Sequence, residues 1–217
     1  MSVVTLEVGP LGVCCYIVSS DEPHHGETPC VVIDPGGDAD RVNAEVRRLG
    51  LRVESVFLTH AHVDHIGGVR EVLAAWPGSV LACSAETSRR AQDSQLNLSY
   101  LMGQSVTAPA AGRIIADGEC FKAAWLDWRA VEIPGHDPGE MVFILGDGHM
   151  VFTGDVIFAG SIGRSDFPGG DGRALIVGAR KLLESLPSDG ILFPGHGPAT
   201  EVREELAHNP FLSGAVL

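Results

Sequence analysis

The sequence predicts an α/β fold in which two β-sheets pack face to face, with helices on their outer sides. Segments with strand-like and helix-like patterns alternate along all 217 residues. Hydrophobic residues make up 45% and charged residues 20% of the chain, as expected for a globular protein. Since no linker-like tract or strong internal repeat divides the sequence, we expect one domain over residues 1–217.

The first half begins with two apolar strands and then alternates strand with helix. The predicted strands are 3–8, 14–19, 30–34, 53–59 and 79–83. Val42, Val46 and Leu49 share one helical face, with Asp38 as the expected N-cap and Gly50 as the stop. Two further helices are predicted over 65–75 and near 85–93.

The second half begins near residue 117 and is richer in strands. The predicted strands are 126–134, 141–145, 149–155 and 190–194, and glycines at 146 and 148 indicate a hairpin between the second and third of these. Leu175, Ala179, Leu182 and Leu183 lie on one face of a helix predicted over 172–186. A short helix near 200–207 is expected to close the fold.

The charge and the N-terminal sequence limit the partners and the compartment. A formal net charge of −13 argues against nucleic-acid binding through a basic surface. The N-terminus has no basic region followed by an apolar core, and no apolar run approaches the roughly 18 residues needed to span a bilayer. We therefore expect a soluble, cytoplasmic protein without a membrane partner. The five cysteines lack a CxxC pair and are expected to be reduced and packed.

The most informative segment is LTHAHVDHIGG, residues 58–68, in which three histidines and an aspartate follow an apolar strand. Side chains two residues apart in an extended segment point the same way, so His60 and His62 can reach one metal ion. Asp64 and His65 lie where the chain turns toward a helix and can serve a second ion.

Three later segments repeat the pattern of an apolar strand followed by a tight turn with a metal-ligand residue. They place His136 in VEIPGHDPG, Asp155 in MVFTGDVIF and His196 in ILFPGHGPA. Any single histidine could be an ordinary core or turn residue, but five at strand ends favour a metal site. Two ions about 3.5–4 Å apart would suit this number of ligands. The other histidines, at 24, 25, 149 and 208, are expected at the surface.

Four motifs, HAHVDH, GHDPG, TGD and PGHG, occur in an order that resembles the metallo-β-lactamase superfamily. Within it, the chain is similar to glyoxalase II-like (hydroxyacylglutathione hydrolase-like) enzymes through CCYIV, LNLSYLMG, residues 160–171 and NPFL. The resemblance covers nearly the whole chain and implies a four-layer αβ/βα sandwich of two mixed sheets. Full-length glyoxalase II enzymes add a C-terminal helical domain that holds glutathione, and we expect none within these 217 residues.

The resemblance also implies a ligand set for two divalent metal ions. One ion would be bound by His60, His62 and His136, the second by Asp64, His65 and His196, and Asp155 would bridge them. Zn is the first expectation, and Fe or Mn are alternatives because His/Asp sites accept all three. Asp64 and Asp155 are the expected catalytic residues, Asp64 through orientation of the nucleophile.

The expected substrate is a small thioester of the glutathione type, such as S-lactoylglutathione. A hydroxide that bridges two cations would attack the carbonyl carbon. A thiolate with a pKa of about 8.5 leaves without a general acid. Arg164 matches a basic residue that binds the thiol in this family, although pairing with Asp166 or Asp171 would give it a structural role instead.

Two other reactions stay open at this point. A persulfide dioxygenase would hold a single iron through His60, His136 and Asp155, in the manner of a facial triad. Hydrolysis of a lactone or a phosphodiester would use the same two-metal ligands. The sequence does not indicate an oligomeric state.

Overall fold

The computed structural model describes residues 1–21 and 27–213. The strands of the first sheet are β1 (Ser2–Val8), β2 (Val13–Ser19), β3 (Thr28–Ile33), β4 (Leu51–Phe57), β5 (Val80–Cys83) and β6 (Arg113–Ile114). They lie side by side in chain order. β1 to β3 pair antiparallel and β3 to β6 pair parallel, so the sheet is mixed.

The second sheet also has six strands. They are β7 (Cys120–Ala123), β8 (Leu126–Glu132), β9 (Met141–Leu145), β10 (Met150–Gly154), β13 (Ile191–Pro194) and β14 (Thr200–Glu201), in the order β14-β13-β10-β9-β8-β7. Only β10 and β13 pair parallel. A separate hairpin of β11 (Ile157–Phe158) and β12 (Ser161–Ile162) follows β10.

The helices lie outside the two sheets. They are α1 (Ala39–Arg48), α2 (Val63–Ile66), α3 (Val69–Ala75), α4 (Ala85–Ala91), α5 (Gly172–Ser185) and α6 (Val202–His208), with a 3₁₀ helix at Ser99–Met102. No helix in the part of the chain that the structure describes is long and apolar enough to cross a membrane.

Three apolar layers hold the fold together. The outer face of the first sheet packs on α1 and α3, and the outer face of the second sheet packs on α5 and α6. Between the sheets, the Phe57 ring meets the edges of Trp128 (5.2 Å between centroids) and lies 4.8 Å from Phe143. The predicted four-layer α/β sandwich is confirmed. The four residues that mark the inner face of α5 are all buried, as predicted.

One predicted helix is wrong in detail. The segment 65–75 forms two short helices, α2 and α3, with a break at Gly67 and Gly68. The chain passes very close to another backbone segment there, because a Cβ on Gly67 would lie 2.4 Å from the carbonyl oxygen of Gly36. This contact fixes the turn that carries the HxHxDH motif.

Asp38 precedes α1 as predicted, but it does not cap the helix with its side chain. Its φ is +46°, and its carboxylate accepts the backbone N–H of Gly9 at 3.0 Å. The aspartate therefore ties the β1–β2 turn to the start of the helix. Strands β6, β7, β11, β12 and β14 were not predicted, since four of them have only two residues and carry no periodic signal.

The carboxyl ends of several strands meet at one edge of the sandwich. β3 and β4 run parallel in the first sheet, and β8, β10 and β13 run in one direction in the second. Two backbone hydrogen bonds join the sheets at this edge. The N–H of Met141 donates to the carbonyl of Thr59 (2.8 Å), and the N–H of Cys14 donates to the carbonyl of Gly195 (2.7 Å).

Candidate metal centre

Three histidines form a first cluster where β4 and β8 end. Nε2 of His60 lies 3.1 Å from Nδ1 of His62, and Nε2 of His136 lies 2.9 Å from that same atom. All three side chains are buried. Their nitrogens could therefore serve one metal ion together.

A second cluster lies beside the first. Nε2 of His196 is 3.1 Å and Nε2 of His65 is 3.9 Å from Oδ2 of Asp64. His65 is fully buried, whereas Asp64 and His196 are partly exposed at the edge of a cavity. The three could serve a second ion.

Asp155 stands between the two clusters. Its Oδ1 lies 3.4 Å from Nε2 of His65, and its Oδ2 lies 3.4 Å from Nε2 of His136. The carboxylate thus faces both groups, as a bridging ligand would. Gly195 makes room for it, because a Cβ at that position would lie 2.2 Å from Oδ1 of Asp155.

Buried polar groups behind the rings of His60 and His65 fix which nitrogen of each faces the clusters. The hydroxyl of Thr59 donates to Asp34 (2.6 Å), so its oxygen accepts from Nδ1 of His60 at 3.1 Å. Nδ1 of His65 donates to the same Asp34 carboxylate at 3.0 Å. With Nδ1 of both rings bound to an acceptor, Nε2 is the nitrogen that each ring offers to a metal ion.

Of the remaining two rings of the first cluster, His136 is held by a hydrogen bond in the same manner and His62 is not. Nδ1 of His136 donates to the backbone carbonyl of Arg164 at 2.7 Å. Nε2 of His62 faces Oδ1 of Asp137, 4.0 Å away, which leaves Nδ1 for the cluster. His60, His65 and His136 therefore each direct one nitrogen to an acceptor behind the ring, whereas Nε2 of His62 is buried without a hydrogen-bond partner among the described residues.

This arrangement fits cations. Nε2 of His60 and Nε2 of His136 both point at Nδ1 of His62, from 3.1 and 2.9 Å, and a proton on that one atom could be donated in only one of the two contacts. A cation among the three nitrogens would be attracted to all of them. Nε2 of His65 and Oδ1 of Asp155 are buried and have no hydrogen-bond partner among the described residues. Imidazole and carboxylate donors of this kind suit Zn, Fe or Mn.

The pKa shifts of the clustered histidines also fit bound cations. Burial lowers the pKa of His60 well below its ordinary value and that of His62 to about 3, so both rings are neutral at neutral pH. Burial also disfavours a charged His65, but the carboxylates of Asp155, Asp34 and Asp64 outweigh it and raise the pKa well above the ordinary value. A metal ion would take the place of that proton, since ligation requires the neutral ring.

The comparison with known proteins agrees with this geometry. The model of the metallo-beta-lactamase superfamily matches residues 8–196. The chain belongs to the metallo-beta-lactamase superfamily. Hydroxyacylglutathione hydrolase GloC of Haemophilus influenzae is 33% identical to it, over 92% of each chain. The chain is thus a metal-dependent hydrolase of this superfamily.

Two crystal structures show the same fold at similar identity. BLEG-1 B3 metallo-beta-lactamase superposes with a TM-score of 0.91 at 32% identity, over 98% of this chain and 100% of that one. TTHA1623 in a di-iron-bound form superposes with a TM-score of 0.81 at 32% identity, with the same coverage.

All seven ligands predicted from the sequence lie together, but the predicted role of Arg164 is less simple. The Arg164 guanidinium makes two 2.6 Å contacts with the carboxylate of Asp166 and lies 4.1 Å over the ring of Phe167. Asp171 instead caps α5. Arg164 still lines the cavity, and its carbonyl orients His136.

The structure adds residues to which sequence reasoning gave no role. Asp34 supports His65 and Thr59, and Oε1 of Glu140 accepts the backbone N–H of Asp155 at 2.8 Å. Asp137 lies behind His62. Asp34 is the last residue of the strand predicted over 30–34, which was the one available signal. Among the histidines expected at the surface, those at 149 and 208 are exposed, and those at 24 and 25 lie outside the described residues.

Proposed function

We propose that the protein hydrolyses small thioesters of the glutathione type, with S-lactoylglutathione as the first substrate to test, at two divalent cations. Zn is the first candidate metal; iron is the second, because TTHA1623 holds two irons, and manganese is the third. Support for the substrate class comes from the similarity to GloC, whose name denotes hydroxyacylglutathione hydrolysis.

The observation that carries the proposal is the composition of the cavity beside Asp155. Its volume is about 590 Å³. Among the described residues that line it, the carboxylates and imidazoles are the candidate ligands themselves: His62, Asp64, His136, Asp155 and His196. These described lining residues therefore include no separate general acid to protonate a leaving group. An amine or alkoxide needs such a proton, whereas a thiolate with a pKa of about 8.5 does not.

The chain's own residues have defined tasks in this reaction. Two cations bound here would supply a nucleophile at neutral pH, by lowering the pKa of water from about 15.7 toward 7, and would polarise the acyl carbonyl. The Asp155 carboxylate contacts both clusters and would bind both cations. Asp64 faces the cavity and can accept a hydrogen bond from the attacking water, which orients it. Asp34 and Glu140 hold His65 and Asp155 in place from behind.

The second cluster favours a two-metal hydrolase over the dioxygenase. The dioxygenase would bind a single iron through His60, His136 and Asp155. The side chains of the second cluster, Asp64, His65 and His196, would then lie together without a metal ion to bind. Lactone and phosphodiester hydrolysis expel an oxygen leaving group, which the cavity offers no separate acid to protonate.

The test is the turnover of S-lactoylglutathione by protein loaded with Zn, Fe or Mn, followed through loss of the thioester. Asp155→Asn should lower kcat/KM at least 100-fold, because even partners behind metal ligands contribute about 10–100-fold. Asp189→Asn, on the exposed surface, is the matched control and should leave the rate unchanged. Oxygen consumption with glutathione persulfide, without thioester loss, would replace this proposal by the dioxygenase.

A further inference from the structure

The cavity beside the candidate metal centre is walled mainly by large apolar side chains. They are Leu11, Leu98, Leu101, Met102, Phe158, Ile162 and Phe167. These residues come from the β1–β2 turn, the segment around the 3₁₀ helix, the β11–β12 hairpin and the loop between β12 and α5. Four separate parts of the chain thus contribute apolar surface to the same cavity. They form a continuous apolar wall, as in a ligand-binding site, and not an isolated exposed side chain.

Three of these side chains are exposed to a degree that needs an explanation. Leu11 is 54%, Leu101 is 59% and Met102 is 41% exposed. Exposed apolar residues that stand alone are common, but a contiguous group beside a catalytic site is where a ligand is buried. Covering them with an apolar group would remove this surface from water.

The cavity has cationic and apolar sides. Its one cationic lining residue among those described is Arg164, already bound to Asp166 and stacked on Phe167. Phe167 packs against His62, 5.3 Å between ring centroids, so this side borders the first cluster. The thiol part of a substrate, which carries carboxylates in glutathione, therefore belongs here.

The apolar side continues past the second cluster. A smaller cavity of about 210 Å³ shares Leu11, Val63, Asp64 and Met102 with the larger one. It is lined further by Pro10, Val106, two glycines and one amide side chain, Gln104. The space that begins at the candidate ligand Asp64 thus extends between Leu11 and Met102 toward other apolar groups. Among the described lining residues of this extension, Asp64 is the only charged one.

We propose that this wall is an acyl-binding subsite and that the preferred substrates are thioesters with an unbranched apolar acyl chain of several carbons. A lactoyl group is short and hydroxylated, so it would leave most of the wall uncovered. The inference rests on the proposed thioester hydrolysis and specifies which acyl group the same site favours.

The experiment compares S-acetyl-, S-lactoyl-, S-butyryl- and S-hexanoylglutathione, so that only the acyl group changes. Burial of each methylene is expected to raise kcat/KM about threefold, which gives at least a tenfold preference for hexanoyl over acetyl. A flat or falling series would overturn the acyl subsite while leaving thioester hydrolysis intact.

Substitutions at the exposed wall test its location. The double variant Leu101→Gln with Met102→Gln should lower the hexanoyl-to-acetyl ratio of kcat/KM at least fivefold. Val177→Gln, an equally exposed apolar residue on α5 (59%), is the matched control and should leave the ratio unchanged. A ratio that the double variant does not move would contradict this location.

A binding measurement keeps the inference testable if no thioester is hydrolysed, the outcome that would reject the proposed function. Metal-loaded protein is titrated with S-methyl- and S-hexylglutathione, which cannot be hydrolysed. At least tenfold tighter binding of the hexyl compound supports the apolar subsite. Equal affinities would reject it, whatever the reaction catalysed.

Discussion

Arg90 and Asp137 form a buried ion pair directly behind the first histidine cluster. Nε of Arg90 lies 2.7 Å from Oδ1 of Asp137, and both side chains are nearly inaccessible to solvent. Oδ2 of Asp137 accepts the backbone N–H of Ala61 at 3.3 Å, and Oδ1 faces His62 at 4.0 Å. The pair therefore connects α4 to the strand end that carries the HxHxDH motif.

Loss of this arginine should destabilise the fold. Arg90→Met leaves Asp137 buried without its counter-charge, and breaking a buried pair in this way costs about 3–5 kcal/mol in free energy of unfolding. Arg89→Met is the matched control, because its pairing with Glu86 is exposed to solvent and its loss should leave the free energy of unfolding nearly unchanged. Denaturant unfolding of the metal-free proteins measures both effects.

A second variant separates charge from packing. Adding Asp137→Asn to Arg90→Met removes the uncompensated charge and should recover part of the lost stability. If Asp137→Asn instead lowers the free energy of unfolding of Arg90→Met further, as substitution of any other buried residue would, the ion-pair explanation is wrong.

Asp34→Asn should weaken metal binding while the fold is retained. Oδ2 of Asp34 accepts hydrogen bonds from the Thr59 hydroxyl and from Nδ1 of His65, and Oδ1 accepts the backbone N–H of Thr59 at 2.8 Å. An amide has one oxygen in place of two and cannot accept all three. Such outer partners contribute about 10–100-fold to metal affinity. Metal titration followed by calorimetry should show this loss, with Asp40→Asn, an exposed aspartate on α1, as control. Unchanged affinity in Asp34→Asn would show that the Asp34 contact does not position His65.

The strand ends explain why so much of this architecture could be predicted. Apolar runs identify buried strands by pattern alone, so the segments that carry His136, Asp155 and His196 were located, and the two-sheet sandwich was confirmed. That these residues hold metal stays a prediction, but their convergence follows from strands that run in one direction.

The supporting residues could not be predicted, because their roles exist only between distant parts of the chain. Asp34 is 25 residues from Thr59 and 31 from His65, and no periodic pattern links them. In the sequence, Arg90 resembles the other charged residues of a polar helix. Only the folded structure shows that it contacts Asp137. The break at Gly67 likewise depends on contact with Gly36.

The cysteines should divide sharply in reactivity. Cys14, Cys15, Cys30 and Cys83 are buried and Cys120 is exposed, all as free thiols. Burial raises the pKa of both Cys30 and Cys83 to about 12, so neither forms an appreciable amount of thiolate at pH 8. Alkylation of the native protein at pH 8 should modify Cys120 alone.

Peptide mass spectrometry identifies the modified residue. Cys120→Ser should abolish labelling of the native protein, and unfolding in denaturant should expose the other four. Rapid native labelling of Cys30 would contradict the packing of the first sheet against α1 and α3.

Removal of metal should inactivate the protein and also lower its stability. Without cations, the inward nitrogens of His60, His62 and His136 meet at 2.9–3.1 Å, and the carboxylates of Asp64 and Asp155 have only histidines to balance them. A ligand at about 100 times its Kd stabilises the folded state by about 2.7 kcal/mol. Chelation should therefore lower the Tm, and Zn, Fe or Mn should restore it together with activity.

Because Asp155→Asn removes the residue that faces both clusters, the same metals should restore less of the Tm of this variant than of the unmodified protein. Equal recovery would mean that Asp155 contributes nothing to metal binding, and an unchanged Tm on chelation of the unmodified protein would mean that the clusters hold no ion.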